Sequence, residues 1–248
     1  MGRSKRNQLT ALLLLLVLAM IPTTSQADDA GLMLTVGASH KFSKKLSAGF
    51  ETEFRSRNTF RTADRVKLGA DVSYKVLPWL KAGVSYNLLI YNNPEKLTFQ
   101  DDGVNYNNWR PGYWGLRHRF NVMLTASHKI QRVELSLRER WQYTYRPSKT
   151  VDNFDFDEAE WEDDEVKGKG KNVLRSRLQL DWDIPKCKFD PFASVEFHTT
   201  RILDNTRFIV GVEHTIKKTH TLKAYYRYQV NHDEPNFHYL GMGYTYKF

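Results

Sequence analysis

Only one cysteine, Cys187, stands among the 248 residues, so no intramolecular disulfide framework can staple this chain. Long apolar runs are equally scarce. The single candidate, Leu12 to Met20, falls short of the roughly 20 residues that a spanning helix needs, so no helical membrane anchor is expected. Its flanks suit another role. Arg3, Lys5 and Arg6 precede it, and Ser25-Gln26-Ala27 follows as a small-x-small cleavage site. Residues 1–27 therefore read as a secretory signal peptide, leaving 28–248 as one exported domain. Export makes a nucleic-acid partner unexpected despite the net charge of +9. Catalytic signatures are missing too. No G-x-S-x-G nucleophile elbow occurs. The most acidic stretch lacks the glycine and spacing of a calcium loop. No cofactor, no metal and no enzymatic activity are expected.

What fills the chain is alternation. The last thirteen residues put His238, Leu240, Met242, Tyr244, Tyr246 and Phe248 on one face. Phe237, Tyr239, Gly241, Gly243, Thr245 and Lys247 form the other. Period two means a strand. The same pattern runs from Leu32 onward. Leu34, Val36 and Ala38 alternate with Thr35, Gly37 and Ser39, and Val66, Leu68, Ala70 and Val72 alternate with Lys67, Gly69 and Asp71. A soluble sandwich would also alternate, but here the connections alternate between short and long. That is the habit of an antiparallel transmembrane β-barrel with short periplasmic turns and longer extracellular loops. A negative mean hydropathy fits, because half of each strand would face a polar lumen.

A weak repeat orients the strands. Ser39-His40-Lys41-Phe42, Ser73-Tyr74-Lys75-Val76, Ser127-His128-Lys129-Ile130 and Thr245-Tyr246-Lys247-Phe248 resemble one another, with looser copies around Trp182 and His214. If Phe248 lies at the periplasmic rim, all the copies do. His40, Tyr74, His128, Trp182, His214, Tyr246 and Phe248 would then form an aromatic and histidine ring at that interface. Eleven strands can be counted, six down and five up. Closed single-chain bacterial barrels have even numbers, so the expectation is 10–12 strands with 12 slightly favoured. The strand from Leu32 carries the rim repeat and should run downward, yet antiparallel pairing with the closing strand would need it to run upward.

Several stretches resemble one family. They are the opening ASHKFSKKLSAGFETEFR, then DVSYKVLPWLKAGVSYN, GLRHRFNVML with ASHKI and LSLRERWQY after it, and the ending GMGYTYKF. Together they resemble the uncharacterised bacterial outer-membrane β-barrel family catalogued as domain of unknown function 2490. The resemblance implies an outer-membrane barrel over roughly residues 30–248 and supplies no activity or functional residues.

The inward faces hold the candidate site. Arg117, Arg119, Arg138, Arg140, Arg175 and Arg177 fall on three consecutive strands, all toward the lumen. An arginine on the lipid side at midplane would cost ~2–4 kcal/mol, which excludes the opposite orientation for six of them. Lys67, Lys223 and Arg227 add positive charge, while Glu51, Glu53, Asp71, Glu196 and Glu213 also face inward. Either the charges line a water-filled anion path, or they pair and fill the interior. Barrels of ~8 strands are filled and those of ~16 hold channels, so a size of 10–12 leaves both open and leans toward a filled or narrowly hydrated interior. Glu139 alternates toward lipid and is expected to pair with His118 or to sit at an oligomer contact. Ser39-His40 and Ser127-His128 are strand neighbours and point to opposite faces, which argues against a hydrolase. Asp152 to Glu165 places nine carboxylates in fourteen residues and reads as a solvated, mobile charge run. Asn92 to Gly112, with Tyr106 and Trp109, reads as a packed lid or a polysaccharide contact, with packing favoured. The expected function is a small channel or structural barrel of the bacterial outer membrane. The alternative is a lipid-modifying or surface ligand-binding barrel acting through its outer loops. Expected partners are outer-membrane lipids, the barrel-assembly machinery through the strand ending at Phe248, and a small solute or ion.

Overall fold

The computed structural model describes residues 28–232 and 234–248. The signal-peptide segment, 1–27, lies outside the described residues. Fifteen strands follow one another: β1 (Asp29–Lys41), β2 (Leu46–Arg57), β3 (Thr62–Leu77), β4 (Leu80–Asn93), β5 (Lys96–Phe99), β6 (Tyr106–Arg110), β7 (Tyr113–Ile130), β8 (Val133–Arg146), β9 (Lys149–Asp155), β10 (Glu160–Val166), β11 (Lys169–Trp182), β12 (Asp190–Thr199), β13 (Leu203–Ile216), β14 (His220–Asn231) and β15 (Phe237–Lys247). Eleven of them close into a barrel in the order β1-β15-β14-β13-β12-β11-β8-β7-β4-β3-β2. The count lies within the expected 10–12, but the preference for an even number gives way. The reason is the seam. β1 and β15 pair in parallel, from Asp29 opposite Phe237 to Ser39 opposite Lys247. Both strands end on the same rim, as the repeat requires, and the barrel closes without a twelfth strand.

The polarity of the chain is inverted relative to a soluble protein. Exposed positions include Val36 (59%), Phe50 (53%) and Met242 (59%), whereas Glu196 is 2% and Glu53 7% exposed. A continuous apolar belt of this kind needs an apolar surround. Barrel strands of 10 to 18 residues meet or exceed the ~9–11 needed to cross a bilayer on a tilt.

One rim carries short turns. Ser43 closes the β1–β2 turn by accepting the backbone N–H groups of Lys45 (3.1 Å) and Leu46 (3.0 Å) on its hydroxyl. Gln131, Lys217 and Lys218 adopt positive φ in two other turns of this rim. The opposite rim carries the β2–β3 turn, where Asn58, Thr59 and Phe60 all lie at positive φ. Asp29 stabilises that strained turn by accepting from the N–H groups of Asn58 (2.9 Å) and Thr59 (3.0 Å). Two long excursions leave from the same rim.

Those excursions are not loops. β5, β6, β9 and β10 form a second antiparallel sheet in the order β10-β9-β6-β5. The acidic run is therefore ordered in strands and is not a mobile charge run. The cause is tertiary: Trp109 pairs with Phe154 across β6 and β9, and Phe154 with Trp161 across β9 and β10. Each strand of this sheet continues a neighbouring barrel strand. Prolines 94, 111 and 147 and Gly168 mark the four breaks, where a missing N–H or a missing side chain interrupts the ladder.

Candidate functional site

Alternation along β7, β8, β11, β12, β13 and β14 sends every second residue inward. The positive wall is built on the β8–β11 pair, whose register sets Arg140 opposite Arg175 and Arg138 opposite Arg177. Like charges facing each other across strands are destabilising unless compensated. Compensation comes from one residue, Glu196 on β12. Arg138 Nη2 donates to its Oε2 at 2.8 Å, Arg175 Nη2 to its Oε1 at 2.7 Å, and His198 Nε2 lies 2.8 Å from the same Oε1. Arg207 Nη1 stands 3.7 Å away. A second carboxylate, Glu53, is caged in the same manner by Arg65 (2.7 Å), Arg55 (3.2 Å) and Lys67 (3.6 Å). Glu51 is held by Lys67, and Glu213 by Lys223 at 2.7 Å.

Glu53 and Glu196 each sit inside a shell of cations, because an unpaired buried charge is far more costly than a paired one. At the long-excursion ends of β1–β4 and β15 the interior is filled. Met33 and Leu89 are fully buried and Tyr239 nearly so. Arg117 stacks 4.0 Å from the centre of the Tyr91 ring, Arg65 donates to the Tyr91 hydroxyl at 2.5 Å, and Arg55 lies 4.9 Å over Tyr239. Guanidinium planes favour such stacking on aromatic faces.

Elsewhere the lumen is hollow. A cavity of about 590 Å³ reaches Thr245 and Lys247, close to the short-turn rim. Twelve Arg and Lys side chains line it against three carboxylates, Glu51, Glu53 and Glu213. A second cavity of about 340 Å³ lies toward the other rim, lined by Arg117, Arg119, Arg146, Lys169 and Lys171 with Asp204. Arg119, Gln142 and His198 border both cavities and form the partition between them. Arg119 is tied to Thr144 through Nε (3.1 Å), and Gln142 accepts from Arg175 (3.2 Å). On the wall across from the arginines, the position of Gly243 is open. A Cβ there would meet nothing closer than Lys223 Cβ at 3.6 Å.

Of the arginines singled out from the sequence, Arg119, Arg138, Arg140, Arg175 and Arg177 line the larger cavity and Arg117 the smaller. Asp71 lies on the inward face of β3, with its carboxylate beside Gly49. Arg55, Arg65, Arg207 and His198 complete the two carboxylate cages and were not among the candidates, although the same alternation points them inward. Their role depends on height along the barrel, which sequence spacing does not show. Glu139 faces lipid as expected but has a different partner. Ser176 donates to its Oε2 at 2.6 Å, while His118 bonds the Tyr86 hydroxyl at 2.7 Å. Ser176 lies opposite Glu139 on β11 and Tyr145 lies opposite His118 on β7, so the register separates Glu139 from His118.

At the short-turn rim, His40 Nδ1 lies 2.7 Å from the Phe248 carbonyl oxygen and its ring 4.8 Å from the Phe248 ring. His214 bonds the Lys188 carbonyl (2.5 Å) and meets the Phe189 ring at a tilt, 5.2 Å between centroids, and Tyr246 stacks with Phe248. Tyr74 is exposed on β3, His128 borders a shallow apolar crevice with Trp79, and Trp182 ends β11.

The β-domain of the Bordetella autotransporter BrkA is similar in fold, with a TM-score of 0.53 at 10% identity over 82% of each chain. The porin NanC aligns with a TM-score of 0.45 at 11% identity, over 84% of this chain and 89% of that one. No curated protein matches the sequence. The family model described as "Protein of unknown function (DUF2490)" matches residues 30–239, and the chain belongs to that family.

Proposed function

We propose that this protein is a narrow, anion-favouring channel of the bacterial outer membrane, with the short-turn rim in the periplasm. The observation that carries the reading is the charge of the larger cavity, twelve cations against three carboxylates. Rings of arginine and lysine favour anions in a confined aqueous path. The two cavities share Arg119, Gln142 and His198 in their linings, one toward each rim, which supports a path through the barrel. The apolar belt supports a membrane location, and the aromatic residues at the short-turn rim suit an interfacial girdle. No reaction is proposed. His40 spends its Nδ1 on the terminal carbonyl, and Ser39 points to the opposite face of β1.

The test is the reversal potential in a planar bilayer under a potassium chloride gradient. The expected sign is that of an anion-selective pore, and Arg119→Glu at the partition should move it toward cations. Absence of conductance in repeated insertions would defeat the channel. A second reading has its own observation. The outer sheet leaves Phe99, Tyr106 and Trp161 about half exposed along one series of aromatic contacts that runs through Phe156 and Phe154, which suits capture of a surface ligand. Removing both hairpins should leave the conductance intact under the channel reading and abolish ligand capture under the second.

A further inference from the structure

We propose that the lumen contains a saturable site for one compact multivalent oxyanion, of the phosphate or sulfate class, built on Arg140 and Arg177. The four arginines of the β8–β11 pair form a square in register. Glu196 serves one diagonal of it, through Arg138 and Arg175. Both of its oxygens are committed, one to Arg138 and the other to Arg175 and His198. Arg140 and Arg177 hold the other diagonal.

Among the described residues, neither has a carboxylate within 4.0 Å. The Nε of each is cut off from solvent and has no acceptor. The other cavity carboxylates are already engaged, Glu51 by Lys67, Glu53 by its own cage and Glu213 by Lys223. Asp71 makes no ion pair with either arginine. Two unneutralised guanidiniums therefore border a cavity of about 590 Å³ from adjacent strands. Diagonal neighbours across an antiparallel pair lie about 7–8 Å apart at Cα, so long side chains converge readily on one ion.

The chemistry of the ligand follows from the donors. A guanidinium presents parallel N–H groups that match two oxygens of a tetrahedral oxyanion, and a halide offers no such pair. Two forks with no counter-charge call for a dianion more than for a monoanion. The cavity exceeds the size of a bare phosphate, so a phosphate ester with a small organic group also fits the space. The proposal rests on the reading of the lumen as an anion path, but binding and conduction are measured separately.

The experiment uses the full barrel in detergent micelles and equilibrium dialysis against radiolabelled inorganic phosphate. One phosphate per chain is expected, displaced by sulfate and by a sugar phosphate and not by equimolar chloride. Displacement by the sugar phosphate at lower concentration than by phosphate would assign the site to esters, and the reverse order to the free ion. The double variant Arg140→Gln/Arg177→Gln should lose at least tenfold in affinity. It should also resist urea at least as well as the parent, since it removes charge that has no partner, and this separates lost binding from lost folding. Uptake that never saturates, or that persists unchanged in the variant, would overturn the site. Saturable binding without bilayer conductance would leave the site standing and remove the channel. Anion conductance without saturable binding would do the opposite.

Discussion

Glu196→Gln is the sharpest probe of how this barrel tolerates its own charge. The side chain is 2% exposed and has two guanidiniums at 2.7 and 2.8 Å and a third at 3.7 Å. At an effective dielectric of ~20, a unit pair at ~4 Å is worth ~4 kcal/mol, so three contacts sum to far more than any single residue delivers. Repulsion among the arginines and the cost of drying them consume most of that. Loss of one partner from a buried ion cluster typically costs ~3–5 kcal/mol. Glutamine keeps the shape and one acceptor oxygen, which places the expected loss near ~3 kcal/mol. The assay is urea unfolding of the barrel in lipid vesicles, followed by tryptophan fluorescence, with the denaturant slope compared between parent and variant. An unchanged slope with a lower midpoint is the expected outcome. Because the cluster is buried, the loss should persist in 1 M salt. The exposed pair Lys171–Asp204, at 2.8 Å with the lysine 59% exposed, should contribute no more than ~1 kcal/mol, and that should fade with salt. A Glu196→Gln loss below ~1 kcal/mol would refute the reasoning. It would mean that water or mobile ions, and not this carboxylate, neutralise Arg138 and Arg175.

Gly243→Phe should lower single-channel conductance several-fold with little change in stability, because its Cβ enters open lumen, 3.6 Å from its nearest neighbour. Gly241→Ala should do the reverse, losing ~2 kcal/mol in the urea titration, since its Cβ would fall 2.1 Å from the Tyr225 ring. Asp29→Ala removes both acceptors from a turn with three successive positive-φ residues; a loss of ~1–3 kcal/mol is expected, with faster hydrogen exchange at Asn58 and Thr59 as the local readout. Glu139→Leu should be neutral or stabilising by ~1 kcal/mol, since a lipid-facing carboxyl is unfavourable and its single bond to Ser176 offsets only part of that. A loss of stability there would show that Glu139 meets a partner in the membrane.

The inward and outward faces were legible in the chain because period two survives any error in register. Arg138, Arg140, Arg175 and Arg177 needed only their parity. Their pairing was another matter. Arg177 stands directly opposite Glu196 across β11 and β12, yet Glu196 bonds Arg138, one strand further away, and leaves Arg177 free. Long side chains reach diagonally, and strand tilt decides which heights coincide. The outer sheet was hidden for a different reason. In β10 the residues alternate as Glu160, Trp161, Glu162, Asp163, Asp164 and Glu165, so both faces are charged and no apolar period appears. Its order comes from Trp161, Phe154 and Trp109, which lie on three strands and meet only after folding.

The seam shows how two correct readings produced one wrong preference. The rim repeat occurs in both the first and the last barrel strand, and both therefore run toward the short-turn rim. An even count follows from antiparallel closure, in which the first and last strands run in opposite directions. Here β1 begins at the long-excursion rim while β15 finishes at the other. Two strands running the same way can only close in parallel, and parallel closure of an otherwise antiparallel meander requires an odd number. The repeat and the count of eleven were thus the same fact stated twice. The even-number rule was the assumption to surrender, because it presumes the strand directions that the repeat had already excluded.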